Sequence, residues 1–150
     1  MEKQVLECSS RGDRRFSALY ARVRICGREA TIEAHYQLAK RFPWAPRTWR
    51  EAKGKKPTHL EICGRTLPPE YLTAWYALLW LVYLDAHPEL VAYARQFDGF
   101  TDSFARPGAN TQAEMVRLYV KEGRQALLRL CAPLLRALRA GPEGRSGPWS

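Results

Sequence analysis

The stretch from Leu67-Pro68-Pro69-Glu70 to Ala86 constrains this chain most. Leu72, Trp75, Tyr76, Leu79, Trp80, Tyr83 and Leu84 recur at helical spacing and cover a broad face. A helix that apolar is stable only when other elements cover it. Asp85 and Pro88 interrupt the run, which falls short of the about 20 residues a membrane span needs. The chain has 150 residues, 46% of them hydrophobic, enough for one domain built around such a helix. The expected class is α+β: a mainly α-helical single domain with a small N-terminal β-hairpin.

The remaining elements are arranged around that helix. Residues 1–15 are polar and charged and read as a partly ordered lead-in, residues 16–140 as the domain, and the Gly/Pro/Ser-rich residues 141–150 as a flexible tail. From Tyr20 to Cys26 apolar and basic residues alternate, as in a half-buried strand. Gly27-Arg28 is the expected turn, and a return strand through Glu29 and Ala30 leads into a helix over Thr31–Phe42. Thr31 suits its N-cap and Pro43 ends it. A short helix over Arg47–Lys53 and a weak short strand or extended loop over His59–Cys63 precede the apolar helix. His87-Pro88 restarts a helix through Phe97, and a polar loop from Asp98 to Asn110 follows. Asn110 or Thr111 then caps a long amphipathic helix, which Pro133 is expected to kink or split. No internal repeat is evident.

Chemistry concentrates on the Thr31 helix. Residues three and four apart share a face. Ile32, Tyr36, Ala39 and Pro43 therefore form a stripe that wants burial, beside Glu33, Gln37 and Lys40. A carboxylate, an amide and an amine in that row also suit a solvated face. Under a cleft, Glu33 could handle a proton and Lys40 act as nucleophile or anion clamp. The formal net charge of +9 predicts attraction to polyanions or acidic protein surfaces. Trp44 and Trp49 lie in a basic segment that could stack on bases or pack inward. Gly54-Lys55-Lys56 lacks the spacing of a phosphate loop. Cys8, Cys26, Cys63 and Cys131 show no metal-ligand spacing. Scattered reduced thiols in a cytoplasmic protein are expected, with no metal and no cofactor.

Several of these residues, taken in order, resemble the NADAR family. Phe16-Ser17, Gly27 and Thr31-x-Glu33 are similar to its FSNF…G…PT-x-E opening, and Glu33, Gln37 and Lys40 match E-x3-Q-x2-K. Gly54-Lys55 lies where the family often carries a Gly-basic segment. Asp98-Gly99-Phe100 is similar to its D-x-x-W-G loop, and Gly108-Ala109-Asn110 to G-x-N-x-L-G. Thr101-Asp102 replaces the family's Trp-Gly, and Gln112-Ala113 its Leu-Gly. The resemblance implies an N-glycosidase or ADP-ribosyl hydrolase acting on a ribosyl or ADP-ribosyl compound, free or in modified nucleic acid. Glu33, Lys40 and Asp98 would be the catalytic set. Gln37, Tyr36, Lys55, Phe100, Asn110 and Trp44 would bind substrate. The pattern also looks like that of phage and prophage NADAR-like proteins. The alternative function is therefore a non-catalytic regulator docking on nucleic acid or on an acidic host protein such as RNA polymerase. No membrane partner is expected.

Overall fold

The computed structural model describes residues 3–105 and 111–140. These form a mainly helical α+β single domain. At its centre lies α3, Leu72–Asp85, entered through a 3-10 turn at Pro69–Tyr71. Trp75, Leu78, Leu79, Trp80 and Leu84 of α3 are buried. The helix is apolar on nearly every side because it is covered on nearly every side.

Its largest partner is α6, Arg124–Arg139, which buries Leu127, Cys131, Leu134 and Leu138. The long C-terminal helix is divided at Gly123, not at the expected Pro133. Segment α5, Gln112–Arg117, runs into a π-helical turn at Leu118–Glu122 and stops at Gly123, whose φ of +97° an L side chain rarely adopts. Pro133 lies within α6, which continues past it. Between them in the chain, α4 (Pro88–Ala94) follows His87, whose Nδ1 sits 2.7 Å from Tyr83 O.

Three small sheets surround the helices. The first pairs β1, Val5–Glu7, in parallel with β7, Gly99–Thr101. The polar N-terminus therefore carries a strand into the core, where Leu6, Cys8 and Ser9 are buried. Pairing with β7 satisfies the backbone of this strand. The second sheet is the expected hairpin, β2 (Arg22–Ile25) against β3 (Arg28–Thr31). The third joins β4 (Lys40–Arg41), β5 (His59–Ile62) and β6 (Arg65–Leu67) in antiparallel order.

The hairpin feeds α1, Ile32–Leu38, with the Thr31 hydroxyl accepting the Ala34 N–H at 3.1 Å. This helix is shorter than expected. Lys40 and Arg41 leave it to pair with Leu60 and His59 of β5. The following α2, Trp49–Ala52, starts later than Arg47 because Glu51 accepts the backbone N–H groups of Arg47 and Thr48.

One repeat escaped the sequence. Ile-Cys-Gly-Arg occurs at 25–28 and again at 62–65, each time as a hairpin turn. Cys26 and Gly27 have φ of +54° and +74°, Cys63 and Gly64 of +51° and +76°. Two left-handed central residues define the turn that matches strand twist in a two-residue hairpin. The tips meet, and Cys26 and Cys63 are joined by a disulfide with Cα atoms 5.3 Å apart. The expectation of four reduced thiols fails for this pair, whereas Cys8 and Cys131 are free and buried. Folding brought together cysteines 37 residues apart, which their spacing could not reveal.

Among the described residues no helix is long and apolar enough to cross a membrane.

Candidate functional site

The first parallel strand pair and α1 converge on a cleft of about 580 Å³. The carboxyl ends of β1 and β7 deliver Ser10, Asp102 and Phe104 to it. Helix α1 contributes Glu33, α2 is followed by Lys53, α3 contributes Tyr76, and Thr111 and Gln112 come from the start of α5. Two carboxylates, one amine and one amide thus share an opening.

Neighbours hold both carboxylates and the amide. Gln37 Nε2 donates to Glu33 Oε1 at 2.7 Å, one helical turn away, which steadies the carboxylate. Gln112 accepts the Ala18 N–H at 2.6 Å and donates to Asp102 Oδ2 at 3.0 Å. The other Asp102 oxygen accepts the Phe104 N–H at 2.9 Å. Residue 112 thereby ties the loop after β7 to the segment before β2.

Lys40 does not line the cleft. It is buried, its Nζ donates to Ala52 O at 3.3 Å, and the ammonium stands 5.5 Å from the Tyr36 ring. Burial lowers its pKa, the charge of Glu33 works in the opposite direction, and Lys53 adds to the lowering. Tyr36 packs against Tyr76 with ring centroids 4.8 Å apart. Burial, and secondarily the Glu33 carboxylate, pushes the Tyr36 phenol up to about 12 and raises that of Tyr76 as well. Both phenols stay protonated and can donate.

The structure groups some of the expected site residues and separates others. Of the expected residues Glu33 lines the cleft; Gln37 bonds to it, and Tyr36 touches both Tyr76 and the Lys40 ammonium, but Gln37, Tyr36 and Lys40 are not part of the lining. Asp98 does not join them: its carboxylate accepts the Gln4 N–H at 2.9 Å, and its own N–H donates to Gln4 O at 2.7 Å. It is occupied in starting the β1–β7 pair. Phe100, within β7, packs on the core with Lys121 6.0 Å from its ring, and it does not line the cleft. Trp44 is 43% exposed, stacks on Phe42 at 4.6 Å, and has Lys55 5.1 Å from its ring. This pair stands apart from the cleft lining. Asn110 lies outside the described residues.

Sequence reasoning missed Asp102, Gln112 and Lys53 as cleft residues. A signal existed for Asp102. Groups just beyond the carboxyl ends of parallel strands face ligand crevices in open sheets, and Asp102 follows β7 directly. The signal was hidden because neither β1 nor its parallel pairing was foreseen.

Two other clefts are present among the described residues. One is walled by Arg28, Arg41, Trp75 and both bridged cysteines; the other runs between α3 and α6 with Arg24, Arg124 and Arg139 along it. No group of three or more His, Cys, Asp or Glu side chains among the described residues could hold a metal ion. Compared with known families and with curated proteins, the chain matches no family model and no curated protein.

Proposed function

We propose that the cleft over α1 processes an N-glycosidic bond of a ribosyl or ADP-ribosyl compound, with Glu33 as the acid/base group. The observation that carries this is the meeting of Glu33, Asp102, Lys53 and Gln112 in one sugar-sized hollow, with Gln37 steadying the first carboxylate. Breaking such a bond develops positive charge on the sugar and negative charge on the leaving base. A carboxylate and a proton donor flanking one carbon stabilise both. Asp102 and Gln112 take the sugar-positioning task that resemblance had given to Asp98 and Asn110. Lys53 is placed to meet a phosphate. Phe104, exposed and capped by Arg11 4.4 Å from its ring centroid, offers a face for a base.

Lys40 is the nucleophile in this proposal. Its lowered pKa raises the neutral fraction that can attack the anomeric carbon once the bond to Ala52 O breaks. The C–N bond to the base breaks, and Glu33 delivers a proton to the leaving base. The ribose ring opens to leave a Schiff base on Lys40, and water hydrolyses that to free the sugar and the amine. Such a reaction needs no metal or cofactor and would be cytoplasmic, where nucleotides and nucleic acid are present. Borohydride trapping during incubation with ADP-ribosylated guanine tests it. A reduced adduct mapped to Lys40 is expected. Turnover without an adduct, or an adduct at Lys53 alone, removes Lys40 from the role.

A second proposal, a non-catalytic module docking on nucleic acid or an acidic protein, draws on the basic side chains paired with rings. Arg14 lies over Tyr20, Arg50 and Lys53 over Trp49, and Lys55 over Trp44. Binding by that surface should weaken steeply with salt. A flat salt response would exclude it.

A further inference from the structure

We propose that the Cys26–Cys63 bridge and the arginine-walled cleft beside it form a thiol–disulfide exchange site for a small carboxylate-bearing thiol. The proposal does not rest on the Glu33 cleft. Three observations converge on it. Both sulfurs sit at hairpin tips, Cys26 exposed and Cys63 half-buried, so a small thiol reaches the bridge without unfolding. The two cysteines are also part of the wall of a cleft of about 580 Å³. Arg28, Arg41 and Trp75 line the same cleft, Arg41 with one guanidinium nitrogen donating to Leu38 O and Lys40 O.

Charge selects the ligand. Glu61 is the one carboxylate that lines this cleft among the described residues, and it already accepts from the Thr66 hydroxyl. His35, on the same wall, has its pKa lowered by burial, with the charges of Arg28 and Arg22 acting in the same direction. The cleft therefore favours an anion. Guanidinium groups near a sulfur also favour its thiolate, the reactive form. Arg24 holds the first tip in place, donating to Gly27 O at 3.2 Å.

An incoming thiolate attacks Cys26 Sγ, the S–S bond breaks, and its electron pair leaves on Cys63 Sγ. A second thiolate attacks the sulfur of the bound small molecule, releases Cys26 as thiolate and departs as the oxidised small molecule. Two electrons and two protons pass from two small thiols to the protein. The ring so opened and closed contains α1, β4 and α2, the segment that holds Glu33, Lys40 and Lys53.

Glutathione, which is anionic, and cysteamine, which is cationic, are the probes. The bridge-opening rate of the full oxidised chain would be measured with each. Each rate is divided by that thiol's rate on the same chain in denaturant, which removes intrinsic reactivity. At low salt the normalised glutathione rate should exceed that of cysteamine by about tenfold. The preference should fade with added salt, Arg28→Ala should abolish most of it, and quenched samples should carry glutathione on the Cys26 peptide. Equal normalised rates would overturn the proposal. So would a preference insensitive to both salt and Arg28→Ala, or four titratable thiols after equilibration with oxidised glutathione. The salt series needs only the native chain, so it decides even if the variant misfolds.

Discussion

Helices α3 and α1 are packed into the same interior and bury different chemistry. In α3 the buried positions are aliphatic or aromatic, and its helical partner α6 answers with Leu127, Leu134 and Leu138. Around α1, Ile32 is fully buried beside His35 and Gln37, with Lys40 just beyond the helix end. An amine and an amide placed in the interior are costly unless something engages them. The partners are specific: Lys40 on Ala52 O, Gln37 Nε2 on Glu33, His35 on Val23 O, and Trp75 on His35 O, while Gln37 Oε1 is buried without one. One region is stabilised by apolar burial. The other gives up part of that to keep titratable groups beside a cleft, and a cross-link closes the loop that carries them.

Four perturbations separate the regions, from the largest expected effect to the smallest. Trp80→Ala should cost about 3–5 kcal/mol in denaturant melts, since a fully buried indole would leave a cavity. A loss under about 1 kcal/mol would mean α3 is not the centre of the fold. Replacing both bridged cysteines by serine should cost about 3–4 kcal/mol for a 37-residue separation. Hydrogen exchange should then rise in α1, β4 and α2 more than in α3 and α6, and a uniform rise would erase the contrast.

Lys40→Met should change stability at neutral pH by no more than about 1–2 kcal/mol, in either direction. It should also alter the pH profile. The folded pKa of Lys40 lies below its ordinary 10.5, so the unfolded chain binds the proton more tightly. Native stability should thus rise with pH through that window and lose this rise in the variant. The smallest effect belongs to His35, whose folded pKa lies below 6.5 because of burial. Stability should fall as pH drops below 6.5, with a slope of at most about 1.4 kcal/mol per unit. His35→Gln should flatten it, and an unchanged slope would assign the acid loss to other groups.

The sequence carried the fold where a side-chain period or a cap defines the element. The periodicity of α3, the alternation of β2 and the capping hydroxyl of Thr31 all correspond to local physics. It failed where pairing partners lie far apart. Nothing in Val5–Glu7 announces a strand until β7 is beside it, and the β4–β5 pairing that shortens α1 joins residues about twenty positions apart. The candidate site divided along the same line. Glu33, Gln37 and Lys40 follow from helical spacing, although Lys40 reaches its place from a strand. Asp102 and Gln112 become neighbours of Glu33 only after the parallel pair forms. The matched Ile-Cys-Gly-Arg turns were visible as letters, yet their meeting is a tertiary event.

The central claim is that Glu33 moves a proton in a reaction at a ribosyl carbon. Release of ADP-ribose from ADP-ribosylated guanine, in nucleotides and in DNA, measured side by side for the native chain and Glu33→Gln, addresses it directly. The native chain should release it, and the variant should be slower by about 10²- to 10⁴-fold while melting at an unchanged temperature. No release by the native chain, or equal release by the variant, would contradict the claim.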